Sequence, residues 1–259
     1  MKRMFCLIGL LLVAGLSLVF AQTVAEHIQA GDEAYAKFDD ATARTHYEEA
    51  VKLDPNSYEA LWKTSRACLD VADRMKPKTK AEEDQQMKLW LTSEDYAKKA
   101  VKINPNDTWG HFFYSAAMGM HTLKLSKKQQ VAMSKQIKAE IDKAIQLDPK
   151  NDLAWHALGR WQTTMAEIGG ASRFFGSILF GSIPKGSFDE AVKYFKTAIE
   201  IKPNYSNHHL ELGRTYLAMK KKDLAAQEFQ IAVDSPILTS KCADYKQEAA
   251  DELAKLKKK

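Results

Sequence analysis

The chain has 259 residues, of which 45% are hydrophobic and 27% are charged, and this balance excludes a disordered chain. There are 38 basic and 33 acidic residues, so the formal net charge of +5 is too small a bias to predict nucleic-acid binding. The length allows one or two compact domains or a single elongated array, and the low glycine and proline content leaves room for long helices.

Residues 1–21 have the layout of a secretory signal peptide. Lys2 and Arg3 precede an apolar run over residues 4–20, and the small residue Ala21 follows. We expect cleavage after Ala21 and a mature protein in the periplasm or outside the cell. The alternative is that residues 4–20 remain as a membrane anchor.

N-terminal sequencing of protein purified from its own host tests this expectation. Cleavage after Ala21 leaves Gln22 as the first residue, because the small residue completes the signal layout. Membrane-bound protein that still begins at Met1 would support the anchor instead.

Four similar phrases recur along the rest of the chain, and each resembles the end of an amphipathic helix followed by proline. They are AVKLDPN (50–56), AVKINPN (100–106), AIQLDPK (144–150) and AIEIKPN (198–204). Proline cannot continue a helix, so each phrase predicts a helix end and a turn into the next helix. The recurrence predicts a helical repeat array.

The residues around these prolines resemble the tetratricopeptide repeat, a 34-residue helix–turn–helix with small and large residues at fixed positions. In the fourth unit the pattern is carried by Trp155, Leu158, Gly159, Ala191, Phe195, Ala198 and Pro203. In the first it is carried by Gly31, Ala43, Tyr47, Ala50 and Pro55, and in the fifth by Leu212, Gly213, Tyr216, Ala225, Phe229 and Ala232. The small residues allow the helices to approach closely, and the large ones fill the space opposite.

The second and third units match poorly because the chain carries insertions between their helices. Successive repeat prolines are 50, 44 and 54 residues apart, well above the repeat length of the family. We predict an all-α fold, a right-handed tetratricopeptide-repeat solenoid of about five helix pairs plus a C-terminal capping helix, in one domain over residues 22–259. The approximate units are 24–56, 57–106, 107–150, 151–204 and 205–237, and the capping helix is 240–257.

A narrower resemblance is carried by the long insertions together with four stretches of the second half. These are WHALGRW (155–161), FDEAVKYFKTAIEIKPN (188–204), LELGRTYLAMKKKDLAAQEFQIAV (210–233) and EAADELAKL (248–256). In these features the chain is similar to the regulator of microtubule dynamics proteins. The resemblance implies a helical domain with a concave cavity, which in one animal member is associated with phospholipid binding and transfer. The signal-like N-terminus differs from the animal members, and we expect no contact with tubulin if the chain is secreted.

No motif in the sequence indicates catalysis. There is no Gly-x-Ser-x-Gly and no phosphate-binding glycine loop, and the seven histidines show no metal-ligand spacing. We therefore expect a non-enzymatic protein with no metal and no cofactor. Cys68 and Cys242 allow either a disulfide or two buried thiols.

The first helix of each unit lines the concave side of such a solenoid, so its inward positions predict a binding surface. The candidate groove residues are Trp62, Arg66, Trp109, Phe112, His156, Arg160 and Arg214. Arginine recurs at one inward position in three units, and guanidinium binds carboxylate and phosphate bidentately. This favours an acidic peptide or an anionic amphiphile as ligand. The alternative is that the arginines pair with acids such as Asp32, Glu59 or Glu211 and only join helices.

The insertion ASRFFGSILFGSIPKGSF (171–188) is unusually apolar for its surroundings. Its large apolar residues are Phe174, Phe175, Ile178, Leu179, Phe180 and Ile183. Leaving six such side chains in water forgoes about 10 kcal/mol. We expect the segment to fold over the groove as a lid, with a membrane surface or a partner protein as the alternatives.

These observations predict a binding protein, and two hypotheses follow. The first is a scaffold that holds a peptide or protein segment in its concave groove. The second is a carrier of an anionic amphiphile such as a phospholipid, closed by residues 171–188. An open groove would favour the scaffold, and a deep apolar cavity under the lid would favour the carrier.

Overall fold

The computed structural model describes residues 23–257, and every regular element in that range is an α-helix. The expected signal peptide and its cleavage site after Ala21 lie outside the described residues. Among the described helices, none combines the length and apolarity needed to cross a bilayer. The helices are α1 (Val24–Ala36), α2 (Asp40–Leu53), α3 (Tyr58–Arg74), α4 (Lys80–Ile103), α5 (Thr108–Thr122), α6 (Lys127–Leu147), α7 (Asp152–Glu167), α8 (Gly170–Phe180), α9 (Phe188–Ile201), α10 (Ser206–Ala218), α11 (Lys222–Asp234) and α12 (Cys242–Lys257).

The helices form five consecutive pairs followed by a cap. The pairs are α1–α2, α3–α4, α5–α6, α7–α9 and α10–α11, and each first helix also packs on the first helix of the next pair. Helix α12 packs on α10 and α11 and so covers the end of the array. The fold is the tetratricopeptide-repeat solenoid that the recurring phrases predict.

The repeat prolines end helices through a shared turn. Three of the second helices stop one residue before an Asp or Asn that precedes proline, a position that disfavours helical backbone. That side chain then accepts the backbone N–H two residues on, which fixes the turn into the next helix. The bonds are Asn56 N to Asp54 (3.0 Å), Asn106 N to Asn104 (3.2 Å) and Lys150 N to Asp148 (2.9 Å).

Close contact between a glycine and an aromatic ring holds the first, fourth and fifth pairs together. A methyl group added at the glycine would lie 2.4 to 2.9 Å from the ring, so only glycine lets the two helices approach this far. The rings are fully buried. The contacts are Gly31 with Tyr47, Gly159 with Phe195, and Gly213 with Phe229, and they confirm the packing role predicted for these residues.

The second and third pairs use longer second helices and a different contact. Helix α4 has 24 residues and α6 has 21, and each starts with a capping box. In the second unit the glycine position is Ser65, whose hydroxyl lies 2.8 Å from the buried hydroxyl of Ser93. These two insertions therefore lengthen helices, whereas the third insertion forms a separate helix, α8.

The prediction that residues 171–188 cover the inner helices is wrong. Helix α8 packs against α6, the second helix of the third pair, and reaches the end of α7 through the Arg173 side chain. Phe174, Phe175, Ile178 and Leu179 are 63 to 69% exposed. Phe180 and Ile183 are half-buried.

The reason for this placement lies in how both ends of the insertion are tied to α7. The Arg173 guanidinium donates to the carbonyls of Met165, Ile168 and Pro184, so it joins the start and the end of the segment to the last turn of α7. Gly186 passes so close to α7 that a methyl group there would lie 2.3 Å from the Gln162 carbonyl oxygen. The insertion therefore leaves and returns along α7 and does not cross the groove.

We predict that Gly213→Ala destabilises the protein by about 1–2 kcal/mol in urea unfolding. The new methyl group would overlap the buried Phe229 ring, and this overpacking outweighs the gain of about 1 kcal/mol in helix propensity. The matched control is Gly119→Ala in α5, where a methyl group meets no atom within 4 Å. The control gains up to about 1 kcal/mol. Equal effects of the two changes would contradict the packing argument.

Candidate functional site

An aromatic cluster lies on the inner surface of the second and third units, where α3 meets α5. The Trp62 ring stacks on Trp109 with centroids 5.4 Å apart and on Phe113 at 5.8 Å. Phe112 packs edge-on against Phe113 at 4.9 Å and is buried. Trp62 and Trp109 are half-buried, so their outer edges stay open to a ligand. Phe113 was not among the predicted groove residues.

A concave depression of about 400 Å³ lies beside the start of α1 and α3. Its lining is apolar on the α1 side and acidic where the two helices meet; the lining residues are Val24, Ala25, Ile28, Gln29, Asp32 and Glu59. The Lys63 ammonium binds the carboxylates of Asp32 at 2.6 Å and Glu59 at 2.7 Å.

The Lys63 side chain is buried, whereas those of Asp32 and Glu59 are 45% and 54% exposed. The charged groups that the depression exposes are these two carboxylates, because Lys63 is buried beneath them and Arg66 reaches Asp32 only through the Tyr47 hydroxyl. The accessible charge of the depression is therefore acidic, which is the opposite of the basic groove predicted from the arginines. Lys63 was missed because the repeat pattern places it beside an inward position.

Arg66 does not project freely into the groove. Its guanidinium carbon lies 3.7 Å from the centroid of the Tyr35 ring, and it donates to the Tyr47 hydroxyl at 3.1 Å. These contacts are cation–π stacking and a hydrogen bond, and they join α3 to both helices of the first pair. Arg66 therefore has a helix-joining role, through tyrosines and not through an acid.

Arg214 and Arg160 share one acid. Arg214 binds Glu211 and Glu248, each at 2.7 Å, and so joins α10 to α12. Arg160 lies 3.9 Å from Glu211, and its side chain is 55% exposed. The three arginines thus do not form one cationic surface, and the helix-joining alternative describes Arg66 and Arg214. Only Arg160 keeps most of its surface in water.

His156, predicted to bind ligand in the groove, is buried between α7 and α10. Its Nδ1 lies 3.0 Å from Nδ1 of His208, and Nε2 of His208 lies 3.0 Å from the Asp152 carboxylate. Burial, followed by the charges of His208 and Arg160, lowers the pKa of His156 well below its usual value. The ring packs edge-on against Phe195 as well. A neutral, enclosed imidazole of this kind joins helices and offers no surface to a ligand.

Two further histidines form a repeated contact that the sequence reasoning missed. His111 and His209 each lie six residues after a repeat proline, and each ring bridges that proline's carbonyl to a glutamate of the second helix. The distances are 3.1 Å to Pro105 O and 2.5 Å to Glu140 for His111, and 2.9 Å to Pro203 O and 2.7 Å to Glu228 for His209. The six-residue spacing after proline was the signal that could have shown this.

The C-terminal end of the array reaches back to the second unit. Lys241, just before α12, donates to the Asp73 carbonyl at 2.8 Å, and Asp244 in α12 lies 3.5 Å from Lys76. Both contacts are made to the end of α3, more than 160 residues away in sequence. The solenoid is therefore closed on this side, and the end of α3 is covered by the cap.

Buried carboxylates lie under this closure. Oδ2 of Asp70 and Oδ1 of Asp73 are inaccessible and have no hydrogen-bond partner, and the same holds for Nε of Arg66. Burial raises the pKa of Asp70 to about 7; Arg66 opposes the shift, and the charges of Asp40 and Asp73 add to it. Asp70 therefore titrates near neutral pH inside the closed end of the array.

Cys68 and Cys242 are free buried thiols, so the disulfide between them is not formed. Within residues 23–257, no group of three or more His, Cys, Asp or Glu side chains is arranged to hold a metal ion.

The paired helices and their inner surface define a tetratricopeptide-repeat protein, and solved structures agree. The chain is similar to a tetratricopeptide-repeat protein of Thermus thermophilus, with a TM-score of 0.64 and 18% identity over 90% of this chain and 100% of that one. It is also similar to the pilF protein of Pseudomonas aeruginosa, with a TM-score of 0.53 and 14% identity over 91% of this chain and 90% of that one. At these identities the likeness concerns the fold alone.

Residues 27–257 match the family described as regulator of microtubule dynamics protein 1-3, and the chain belongs to this family. It is 33% identical to regulator of microtubule dynamics protein 1 of Mus musculus over 76% of this chain and 64% of the relative. It is 25% identical to the Caenorhabditis elegans protein of that name over 76% of this chain and 84% of the relative. The match thus spans a little under two thirds of the length of the mammalian relatives.

We predict that Asp70→Asn stabilises the protein by about 1–3 kcal/mol at a pH of about 8.5, and much less at a pH of about 5.5. Above pH 7 the Asp70 carboxylate is charged while its buried Oδ2 has no hydrogen-bond partner. As the pH falls below about 7, Asp70 binds a proton in the folded protein but not yet in the unfolded chain. Its unfavourable contribution to the free energy of folding therefore becomes smaller. Thermal melts at both pH values measure this, with the exposed Asp251→Asn as control. A pH-independent difference would contradict it.

We predict that Arg160→Ala costs less than about 1 kcal/mol of stability, because the side chain is mostly exposed and its acid is 3.9 Å away. Arg214→Ala costs about 1–2 kcal/mol, because it removes two short charged hydrogen bonds, of which the one to Glu248 links α10 to the cap. Chemical denaturation of the two variants measures the difference. A larger loss of stability for Arg160→Ala than for Arg214→Ala would contradict this prediction and would show that Arg160 has the larger structural role.

Proposed function

We propose that this protein is a non-enzymatic scaffold that holds a peptide or protein segment against the inner surface of its first three units. The tetratricopeptide-repeat fold supports a protein-binding role. The observation that carries the proposal is the acidic and apolar depression that α1 forms with Glu59 of α3, one helical turn before the partly exposed Trp62. Concave sites with a few polar groups on an apolar wall are the usual form of a binding site.

The lining indicates the chemistry of the bound segment. Ala25 and Ile28 offer an apolar wall to a side chain of similar character, and Asp32 and Glu59 offer carboxylates to a cation. A segment with an apolar residue next to Lys or Arg satisfies both, since a basic group could bind the exposed carboxylates of Asp32 and Glu59. This replaces the anionic ligand that the arginine pattern predicted.

The carrier hypothesis has less support. Its lid, residues 171–188, lies against α6 and turns four large apolar side chains outward, so it closes no cavity on the inner side. Towards the end of α3 the buried groups include the charged side chains of Arg66, Asp70 and Asp73, which are unsuited to contact with acyl chains.

The location of the protein is part of the same proposal. The signal-like layout of residues 1–21 supports export, with the anchored form as the alternative. The relatives are named as regulators of microtubule dynamics. An exported chain would not meet tubulin, so its partner would be another protein or peptide of the same compartment.

The experiment selects peptides from a random display library on the immobilised full chain and measures the affinity of an enriched peptide by fluorescence anisotropy. We expect enriched sequences to combine an apolar residue with Lys or Arg. Ile28→Ser/Glu59→Gln should weaken binding at least about tenfold, equal to about 1.4 kcal/mol, because it removes one apolar contact and one carboxylate.

The matched control is Ile231→Ser/Asp251→Asn, which makes the same types of change on the exposed surfaces of α11 and α12. It should leave the affinity unchanged, and melts of both variants check that they fold. Equal loss in the two variants, or enrichment of acidic peptides only, would contradict the proposed site.

A further inference from the structure

The most exposed large apolar side chains of residues 23–257 are gathered at one place. Leu123, Phe174, Phe175, Ile178 and Leu179 are 63 to 69% exposed, and the next most exposed, Leu53, is at 52%. We call these five residues the apolar tip. Exposed apolar groups are ordinary when scattered, but a contiguous group marks an interaction surface.

The geometry of α8 makes the group contiguous. Phe174 and Ile178 are four residues apart, as are Phe175 and Leu179, so their side chains share one side of the helix. The other side of α8, with Gly176 and Phe180, faces a cavity of about 610 Å³ between α6 and the end of α7. Leu123, at the turn between α5 and α6, lines the same cavity and so adjoins the helix.

The tip is a preformed element and not a loose loop. Arg173 ties the helix to three carbonyls at the base of the insertion. Gly181 ends the helix at a φ of 84°, a conformation that favours glycine. A helix fixed in this way holds its apolar side outward with no conformational search on docking, so it loses little entropy when it binds.

The charges around the tip are mostly basic, with Glu167 as an exposed acid at the edge of the cavity. Residues 108–139 contain five lysines and no Asp or Glu, and residues 168–188 contain Arg173 and Lys185 and again no acid. The chain as a whole is nearly balanced, with 38 basic and 33 acidic residues. Lys127 lines the cavity next to Leu123, and the neighbouring Lys124 and Lys128 are exposed.

We propose that the apolar tip docks on an anionic lipid surface, with its side chains at the headgroup–acyl boundary and the surrounding lysines on the headgroups. Apolar side chains that project from a basic rim fit such a surface, because burial and charge attraction act together. A groove on another protein would fit the apolar side chains equally well. The stretch of 32 residues with lysines and no acid favours the uniformly negative surface.

The test is hydrogen–deuterium exchange of the full chain with phosphatidylcholine vesicles, with and without about 30 mol% phosphatidylserine. We expect amides of residues 170–183 to exchange at least about threefold more slowly with the anionic vesicles only. The readout is local to α8, so vesicle contacts of other segments do not affect it.

Phe175→Ser/Ile178→Ser and Lys127→Gln/Lys128→Gln should each abolish this protection. Leu53→Ser/Ile231→Ser, which changes exposed apolar residues elsewhere, should retain it. All three variants should bind the selected peptide like the wild type, which separates this proposal from the proposed function. Three results would overturn the lipid surface as occupant. They are equal protection on neutral vesicles, protection that appears without lipid as the protein concentration rises, and no protection at all.

Discussion

The approach of two helices within a pair is the constraint on which the rest of the structure depends. Gly213 lets α10 and α11 come so close that the Phe229 ring fills the space where a side chain would begin, and Gly31 and Gly159 do the same in their pairs. The glycines lose backbone entropy in a helix, and the buried aromatic surface offsets that cost. This spacing aligns the first helices side by side. The shape of the inner surface therefore depends on the glycine–aromatic contacts, which are buried between the helices and not on that surface.

That alignment has two consequences for function. It places α3 between α1 and α5, so the depression at Asp32 and Glu59 and the Trp62–Trp109 stack both include side chains of α3. It also turns the array until the segment before α12 meets the end of α3 through Lys241, which encloses Asp70. The inner side is therefore open at the first units and closed at the cap, and this asymmetry favours a short bound segment at the open part.

The fold could be predicted because its signals are local and repeat: a proline after an amphipathic run, and small and large residues at fixed spacing. The candidate site was harder to predict than the fold, because the partners of its side chains come from helices that are distant in sequence. Arg66 was predicted to contact a ligand, but its guanidinium stacks on the ring of Tyr35 in α1. His156 was placed in the groove, but His208, 52 residues later, encloses it. The course of residues 171–188 depends on Arg173 and the carbonyls of α7, which no periodicity reveals.

The central claim is that a ligand segment lies against the first three units, and site-specific photo-crosslinking tests it most directly. Gln29 lines the depression, whereas Gln230 is exposed on α11 at the other end of the array. A photoreactive side chain at each position, in otherwise identical full chains, is illuminated with the selected peptide. We expect a crosslinked adduct from position 29 and none from position 230. Adducts from position 230 alone would contradict it.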